Sequence, residues 1–440
     1  MIRVLLRAPA RLAALAVAAL LLAAPAQALD IEEVTSPGGI KAWLVQAHDI
    51  PFTALEIRFR GGASLDAPGK RGAINLMTAT LEEGSAGYDS QGFAAAQEAL
   101  AAAFKFDVDD DTLSISARML TENRDKAVDL LRGALTDPHF DQASVDRVRG
   151  QVLSIIASDA KDPNAIAGQS FRKLAYGDHP YGSSLNGTEE SVKALTREDM
   201  FDAKARVMAK DRLVVSAVGD ITPEELGAML DRLLGALPAT GAEMPPRADL
   251  QLTGGVTKVD WDSPQSVVIF GQKGLAMDDP DFFAAYVFNQ ILGAGGFSSR
   301  LMEEVREKRG LTYGIYTYLV PKDLAETWQG SFASANDKTA EAIAIVKQEW
   351  AKAAKGAVTD TELEDAKTYL TGAYPLRFDG NGNIADILAG MQLEGLPIDY
   401  IATRNDKVNA VTKADIARMA QRMLDAEALR FVVVGRPSGL

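Results

Sequence analysis

The sequence contains few side chains that could coordinate a metal ion or act as a nucleophile. It has no cysteine, and its three histidines, His48, His139 and His179, lie far apart. No H-x-x-H or H-x-x-x-H pair is present, although two imidazoles one helical turn apart form the usual basis of a zinc site on a helix. The composition therefore excludes disulfides, thiolate catalysis and cysteine-ligated zinc, and it removes most histidine-based metal chemistry.

One segment carries an arginine and a tyrosine seven residues apart. The stretch SSRLMEEVREKRG, residues 298–310, has acidic residues in its early turns and Arg306 near its end, an order of charges that predicts a helix. The following LTYGIYTYLV, residues 311–320, alternates as a β-strand does. From composition alone, Arg306 is a solvated cation at a helix end and Tyr313 is a half-buried strand aromatic.

The glycine-rich segment GAGGF, residues 293–297, precedes this predicted helix. A phosphate-binding loop would need a Lys-Ser or Lys-Thr pair after the glycines, or a dinucleotide-binding motif around them. Neither is present, so the segment does not indicate nucleotide binding.

The elements that would position these residues occur twice in the chain. LTREDMFDAKARVMAKDRLVVSAVGD from Leu195 resembles VTKADIARMAQRMLDAEALRFVVVGRP from Val411. Each predicts a capped helix, a polar link and a β-branched strand that ends in glycine. At a constant offset of 216 residues, the matched positions are Thr196 with Thr412, Asp199 with Asp415, and Gly219 with Gly435.

A second pair of segments, starting at Thr53 and Gln265, repeats at an offset of 212 residues. Each predicts a strand, a glycine-marked turn, an Asp/Pro entry and a helix. The matched positions are Gly62 with Gly274, Pro68 with Pro280, and Gly84 with Gly296. Two pairs of segments thus align without gaps and occur in the same order in both halves of the chain. This repeat predicts an α+β fold of two homologous domains. Each is expected to be a mixed, largely antiparallel sheet with helices packed on it, and together they form a clamshell.

The domain limits follow from composition. Residues 1–28 resemble an export signal, with arginines followed by an apolar stretch and a small-residue cleavage site at Ala28. The alternative is a membrane anchor, but the apolar stretch is shorter than the roughly 20 residues that span a bilayer. We therefore expect a periplasmic or secreted chain. It would consist of an N-terminal domain at 29–237, a Pro- and Gly-rich linker at 238–255 and a C-terminal domain at 256–440.

The charge limits the kinds of partner. The chain has 440 residues and a net charge of −14, whereas nucleic acids and anionic membrane surfaces bind proteins with a basic surface. We therefore expect neither nucleic acid nor a membrane as a partner.

The combined motifs resemble those of the pitrilysin/insulinase-type zinc peptidases, the inverzincins. GGASLDAPGKRG, residues 61–72, is similar to the family's entry to its H-x-x-E-H helix, and residues 174–200 resemble another family segment. ILGAGGFSSRLMEEVREKRGLTYGIYTYL, residues 291–319, is the most specific match. The resemblance covers nearly the whole chain after residue 28.

The resemblance also shows which residues this chain lacks. In register with the H-x-x-E-H helix, Asn75 and Ala79 occupy the positions of the two zinc histidines, and Thr78 occupies that of the catalytic glutamate. The later segment VRGQVLSIIASDAKDP, from Val148, places Ile155 at the third zinc ligand. No side chain in this set supplies an imidazole or a carboxylate. We therefore predict no cofactor in this chain, and helix 72–83 is expected to be retained as packing.

The resemblance gives Arg306 and Tyr313 a different role from the one that composition suggests. It implies that they reach toward the zinc site and stabilise the carbonyl of the scissile bond. It also implies that Gly295, Gly296 and Phe297 touch substrate. Family members of this kind work as pairs, so the expected partner is a homologous H-x-x-E-H chain that holds the zinc and cuts peptide or protein substrates.

Two other functions are compatible with parts of the sequence. A peptide-binding or scaffold protein would use the same fold without any catalytic role, but it would need neither Arg306 nor Tyr313. A self-sufficient zinc peptidase is disfavoured by the four replaced positions.

Overall fold

The computed structural model describes residues 29–440, so the predicted signal peptide lies outside the described residues. The first half forms a six-stranded sheet in the order β1-β2-β8-β3-β7-β6, together with a small β4-β5 ribbon. Its strands are β1 (Glu32–Thr35), β2 (Lys41–Gln46), β3 (Phe52–Arg60), β4 (Gly84–Ser85), β5 (Tyr88–Asp89), β6 (Ala103–Val108), β7 (Thr112–Leu120) and β8 (Leu213–Gly219). Its helices are α1 (Ala73–Thr78), α2 (Ser90–Ala99), α3 (Arg124–Thr136), α4 (Gln142–Asp159), α5 (Pro163–Tyr176), α6 (Glu189–Lys193), α7 (Arg197–Val207) and α8 (Pro223–Leu234).

The second half forms a five-stranded sheet in the order β11-β12-β10-β13-β9. Its strands are β9 (Gly255–Val259), β10 (Gln265–Lys273), β11 (Ile315–Lys322), β12 (Ala325–Ala335) and β13 (Arg430–Val434). Its helices are α9 (Phe282–Asn289), α10 (Thr339–Ala353), α11 (Asp360–Ala373), α12 (Asn381–Leu393), α13 (Tyr400–Ala410) and α14 (Lys413–Met423).

The two sheets share one topology. Strands β2, β8, β3, β7 and β6 pair in the same order and direction as β9, β13, β10, β12 and β11, and only β2-β8 and β9-β13 are parallel. The first sheet differs by the additional edge strand β1, which is antiparallel to β2. The expected fold class, two similar mixed sheets with helices packed on them, is confirmed.

The matched residues of the repeat perform the same local tasks. Helices α7 and α14 both begin with a capping box, Thr196 with Asp199 and Thr412 with Asp415. Each box satisfies backbone N–H groups that have no partner within the helix. The strand that follows ends at a glycine with positive φ in both halves, +134° at Gly219 and +152° at Gly435. A side chain at Gly219 would meet the backbone oxygen of Phe52 at 2.2 Å.

Each half covers the other half's sheet with one helix. Leu55, Ile57 and Phe59 of β3 face the first half's own core, whereas the alternating residues on β3 lie under α12 of the second half. The apolar contact on that face joins two sets of side chains, namely Trp43, Val45, Ala54 and Val218 from the first sheet and Ile384, Ala385, Leu388 and Met391 from α12. The pair Arg58–Asp386 and a hydrogen bond from Ser216 Oγ to the Ala385 carbonyl, 2.6 Å long, add polar links.

The reciprocal contact is made by α5. Its apolar face packs on β10 and β13 of the second sheet, where Phe171 is buried with Val432 and Val434. A side chain at Gly271 of β10 would lie 2.9 Å from the Phe171 ring, so glycine permits the close approach. The two halves are therefore interlocked by an exchange of helices.

The turns of two equivalent hairpins meet at the junction of the halves. Lys322, at the end of β11, pairs with Asp110 in the turn between β6 and β7, and Arg60 contacts Asp323 at 2.6 Å. Burial alone would raise the pKa of Asp110, but Lys322 and Arg71 hold that pKa below its usual value. No helix within residues 29–440 combines the length and the apolar character needed to cross a bilayer.

Candidate functional site

Helix α1 occupies the place where the resemblance expects a zinc-binding helix. It is one and a half turns long, and Asp66 fixes its start by accepting hydrogen bonds from the backbone N–H groups of Gly72 and Ile74 at 2.9 and 2.8 Å. Gly72 has φ +99°, and a side chain there would meet the carbonyl oxygen of Asn186 at 2.7 Å. The family-like entry segment therefore serves to position this helix against the loop around Asn186.

The expected packing role of this helix is confirmed by its burial. The apolar residues predicted for its buried face have no exposed surface: Ile74, Leu76, Met77 and Leu81. The helix ends earlier than predicted, at Thr78, because the following residues form tight turns. A helix of six residues gains most of its stability from such packing.

The four residues at the degenerate zinc positions make contacts unlike those of metal ligands. The side-chain amide of Asn75 donates to Asn186 Oδ1 at 3.0 Å, and the Thr78 hydroxyl donates to the Ile74 carbonyl at 2.7 Å. Ala79 is exposed, and Ile155 on α4 is 47% exposed. The side chains of Ala79 and Ile155 are hydrocarbon groups and cannot coordinate a metal ion. The Asn75 amide and the Thr78 hydroxyl already form hydrogen bonds within the protein. These four residues therefore do not form a donor set that holds zinc.

The wider surroundings do not replace these ligands. Within residues 29–440, no group of three or more histidine, aspartate or glutamate side chains is arranged to hold a metal ion. Each histidine is engaged elsewhere, His48 with Asp220 at 2.8 Å, His139 with the Ala86 carbonyl and His179 with the Pro246 carbonyl. The chain's residues therefore do not fit the family's catalytic zinc.

We expect the purified chain to contain no stoichiometric zinc and to hydrolyse no peptide by itself. The reason is that Asn75, Ala79 and Ile155 offer no ligand and Thr78 offers no general base. Elemental analysis after dialysis without chelators, together with a fluorogenic peptide assay, checks both expectations. One tightly bound zinc per chain would contradict this interpretation.

Arg306 and Tyr313 lie together on the surface of the second half. They line a shared open cavity of about 480 Å³, whose lining comes only from second-half residues. Tyr313 is 87% exposed and lies before β11, so it is not the half-buried strand aromatic that composition suggested. The guanidinium of Arg306 lies 4.5 Å from the ring centre of Phe297 and also pairs with Glu307.

The segment that presents Arg306 is not the regular α-helix that the sequence predicts. Residues Gln290–Ala294 and Met302–Glu307 are both π-helical; the first turn includes the start of the glycine segment, and the second follows that segment. A side chain at Gly293 would lie 2.3 Å from Thr317 Oγ1, so glycine lets the first π-helical turn approach β11. π-Helical turns are rare and are frequent at functional sites.

A buried polar cluster fixes this segment to the sheet. Asn289, the last residue of α9, accepts hydrogen bonds from the Thr317 hydroxyl at 2.7 Å and from Trp328 Nε1 at 2.9 Å. All three side chains are buried, so these bonds hold the start of the first π-helical turn in one place. The segment that leads to Phe297 and Arg306 is therefore anchored at its start to β11 and β12.

The structure brings some predicted site residues together and leaves others apart. Phe297, Arg306 and Tyr313 share one surface, while Gly296, at φ +58°, forms the exposed turn beside them. The degenerate zinc positions lie on α1 and α4, which pack against each other in the first half. None of the residues at the degenerate zinc positions lines the Arg306 cavity.

Two family models match successive parts of the chain. A family model described as insulinase, peptidase family M16, matches residues 42–189. A second model, described as the peptidase M16 inactive domain, matches residues 194–370. Together they cover most of the described chain.

Similar whole chains are also known. The non-peptidase homolog YmxG of Helicobacter pylori is 26% identical over 388 residues, which is 88% of this chain and 90% of the relative. A crystal structure of a peptidase M16 inactive domain from Pseudomonas fluorescens has a TM-score of 0.86 and 28% identity, and covers 93% of this chain and 98% of that one. A chain of complex III from Candida albicans shares the fold, with a TM-score of 0.77 at 16% identity over 92% of this chain and 96% of that one. The chain therefore belongs to the M16, or insulinase, peptidase family, as a member of its inactive type.

Proposed function

We propose that this protein is the non-catalytic subunit of an exported zinc peptidase, and that it completes the active site of an H-x-x-E-H homologue. The observation that carries the proposal is that Arg306 and the exposed Tyr313 line one cavity, in a chain whose own zinc positions are replaced. Tyr313 is exposed, the Arg306 side chain is partly exposed, and no residue of α1 lines their cavity, which leaves both side chains accessible to a second chain.

The proposed chemistry of this chain is hydrogen-bond donation to a substrate carbonyl. The guanidinium of Arg306 and the phenol of Tyr313 donate to the carbonyl oxygen, on which negative charge develops when water adds to the carbonyl carbon in the partner's active site. Phe297 and Glu307 hold the guanidinium from two sides, so little conformational freedom is lost when substrate binds. Gly295 and Gly296 leave the backbone open beside the pair for contact with a peptide.

A scaffold or peptide-binding role without catalysis is the second candidate. The name of the Helicobacter pylori relative favours it, because it describes a homologue that is not a peptidase. The scaffold role gives no reason for Arg306 and the exposed Tyr313 to share one cavity, so we place it second.

The association itself can be tested by expressing the protein with a zinc-bearing homologue from the same cell. We expect the two chains to elute together in size-exclusion chromatography, and the mixture to cleave a peptide that neither chain cleaves alone. The reason is that each chain holds one part of a composite site. If the homologue is fully active alone, and addition of this chain changes neither its elution nor its rate, the subunit proposal is wrong.

A further inference from the structure

A second cavity, of about 760 Å³, lies between α12 and the body of the second half. Its walls come from α9, β11, α12 and α13, with the turn between β6 and β7 at one end. It shares no lining residue with the Arg306 cavity, so it is a separate site. Its volume falls in the range of small-molecule and peptide-binding cavities.

A buried arginine lies in the wall of this cavity. Arg404 on α13 is 4% exposed, and its guanidinium donates to the Leu370 carbonyl at 2.7 Å, to Asn405 Oδ1 at 2.9 Å and to the Tyr286 hydroxyl at 3.0 Å. The ring centre of Tyr374 lies 4.4 Å from the guanidinium carbon. No carboxylate within residues 29–440 forms an ion pair with Arg404, although a buried charge normally has a counter-ion.

Two tyrosine hydroxyls in the same wall have no protein partner. Tyr374 and Tyr400 are each 9% exposed, and neither hydroxyl forms a hydrogen bond with any other described residue. Neither hydroxyl oxygen is fully enclosed by protein atoms, so each reaches the open space of the cavity and is accessible to a bound molecule. Burial raises the pKa of Tyr400 to about 12, which keeps its hydroxyl protonated and able to donate at neutral pH.

Arg377 completes this group of donors. It lies just before α12, lines the cavity and is exposed, and it forms no ion pair with the described residues. Arg377 and Arg404 place two positive charges at one end of the cavity. The phenols of Tyr286, Tyr374 and Tyr400 add hydrogen-bond donors at the same end. Such a set recognises an anion rich in acceptor oxygens.

The opposite end of the cavity carries negative charge. Asp109, Asp111, Asp323 and Glu394 line it near the meeting point of the two hairpin turns. Arg60 pairs with Asp323, whereas the other three carboxylates form no ion pair with the described residues. The α12 residues that line the cavity extend from Asp386 to Glu394, which is about 12 Å along a helix axis. A phosphate or another multiply charged anion would be repelled by this end, whereas an ammonium group would be attracted.

We propose that this cavity binds a short peptide through its C-terminal carboxylate. The carboxylate is held by Arg377, Arg404 and the tyrosine hydroxyls, and the aromatic wall accommodates an apolar terminal side chain. A lysine side chain or the amino terminus of the peptide faces the acidic end. The site concerns this chain alone and does not depend on the proposed subunit role.

The first test measures binding of defined probes to the purified protein by isothermal titration calorimetry. We expect lysyl-alanyl-phenylalanine to bind, and its C-terminal amide to bind at least about tenfold more weakly because a charged hydrogen-bond acceptor is lost. Equal affinity for acid and amide, or no binding of either, would overturn the proposal. Decanoate tests whether a fatty acid, and not a peptide, supplies the carboxylate. Tighter binding of decanoate than of the tripeptide would show that the proposal of a peptide ligand is wrong.

The second test uses variants that leave the core intact. Because Arg404 also binds the end of α11, we choose Arg377→Ala and Tyr400→Phe, which remove one exposed guanidinium and one hydroxyl. We expect each to raise the Kd for the tripeptide by roughly tenfold or more while the melting temperature stays within about 2 °C. Arg132→Ala on α3 removes another exposed arginine without an ion pair, and is expected to bind normally. An unchanged Kd in both cavity variants would show that these groups serve structure only.

Discussion

Arg306→Ala lowers kcat of the proposed two-chain peptidase by about 10²–10³, and Tyr313→Phe lowers it by at least about tenfold. This is the expected result if both groups donate to the developing oxyanion, because removal of one such donor costs about that much in other enzymes. The partner's zinc content, the association of the chains and the thermal stability should stay nearly unchanged, since Tyr313 is exposed and the Arg306 side chain is partly exposed, pairing with Glu307 beside the exposed Phe297 ring. Steady-state kinetics with a quenched fluorescent peptide gives the comparison.

Two further variants separate this role from a general charge effect. Lys308→Ala removes a positive charge two residues away, from a side chain that pairs only with Glu303 and Glu304, and it should leave kcat near the wild-type value. The double variant of Arg306 and Tyr313 should lose less than the product of the single effects, because both donors act on one oxygen. If Arg306→Ala and Lys308→Ala both behave like wild type, Arg306 is a solvated helix-end cation and the scaffold role gains support.

Leu388→Ala and Phe171→Ala should each destabilise the whole chain, by about 2–5 and 3–5 kcal/mol respectively. Leu388 projects from α12 onto the first sheet and Phe171 from α5 onto the second, and both side chains are buried. Because each sheet is completed by a helix of the other half, we expect one unfolding transition rather than two. Urea unfolding followed by circular dichroism measures the free energy of unfolding of each variant.

Hydrogen exchange measured by mass spectrometry shows whether the halves unfold together. In both variants the central strands β3 and β10 should lose protection by a similar amount, although each substitution contacts only one sheet. Leu376→Ala provides the control, because this leucine is exposed and its loss should change stability by less than about 0.5 kcal/mol. Loss of protection confined to one sheet would show that the exchanged helices do not couple the halves.

The repeat and the fold class could be predicted because their signals are local. A capping box such as Thr196 with Asp199, and a strand that must end in glycine, depend on backbone geometry over a few residues, so they survive in the sequence of each half. The loss of zinc ligands could be predicted for the same reason, since a metal site on a helix needs fixed residue types at fixed spacing.

The exchange of α5 and α12 could not be predicted in this way. Each helix has an apolar face that would suit either sheet, and only the path of the chain in three dimensions decides which sheet it covers. The π-helical turns around the glycine segment were also not predicted, because a π turn and an α turn have nearly the same periodicity over six residues. The donor cluster of the second cavity joins residues from Tyr286 to Arg404, and no local pattern links them.

The exchanged helices also set the order of events while the protein is being made. Strand β3 leaves the ribosome early, but the helix that covers one of its faces begins at Asn381, more than three hundred residues later. The first sheet is complete only after β8, which ends at Gly219, so at about 5–20 residues per second it waits roughly 8–32 s for that helix. During this time Trp43, Val45 and Val218 have no cover, and a nascent chain in this state is a natural client for a chaperone that shields apolar surface. The N-terminal half is thus completed only when synthesis is nearly over.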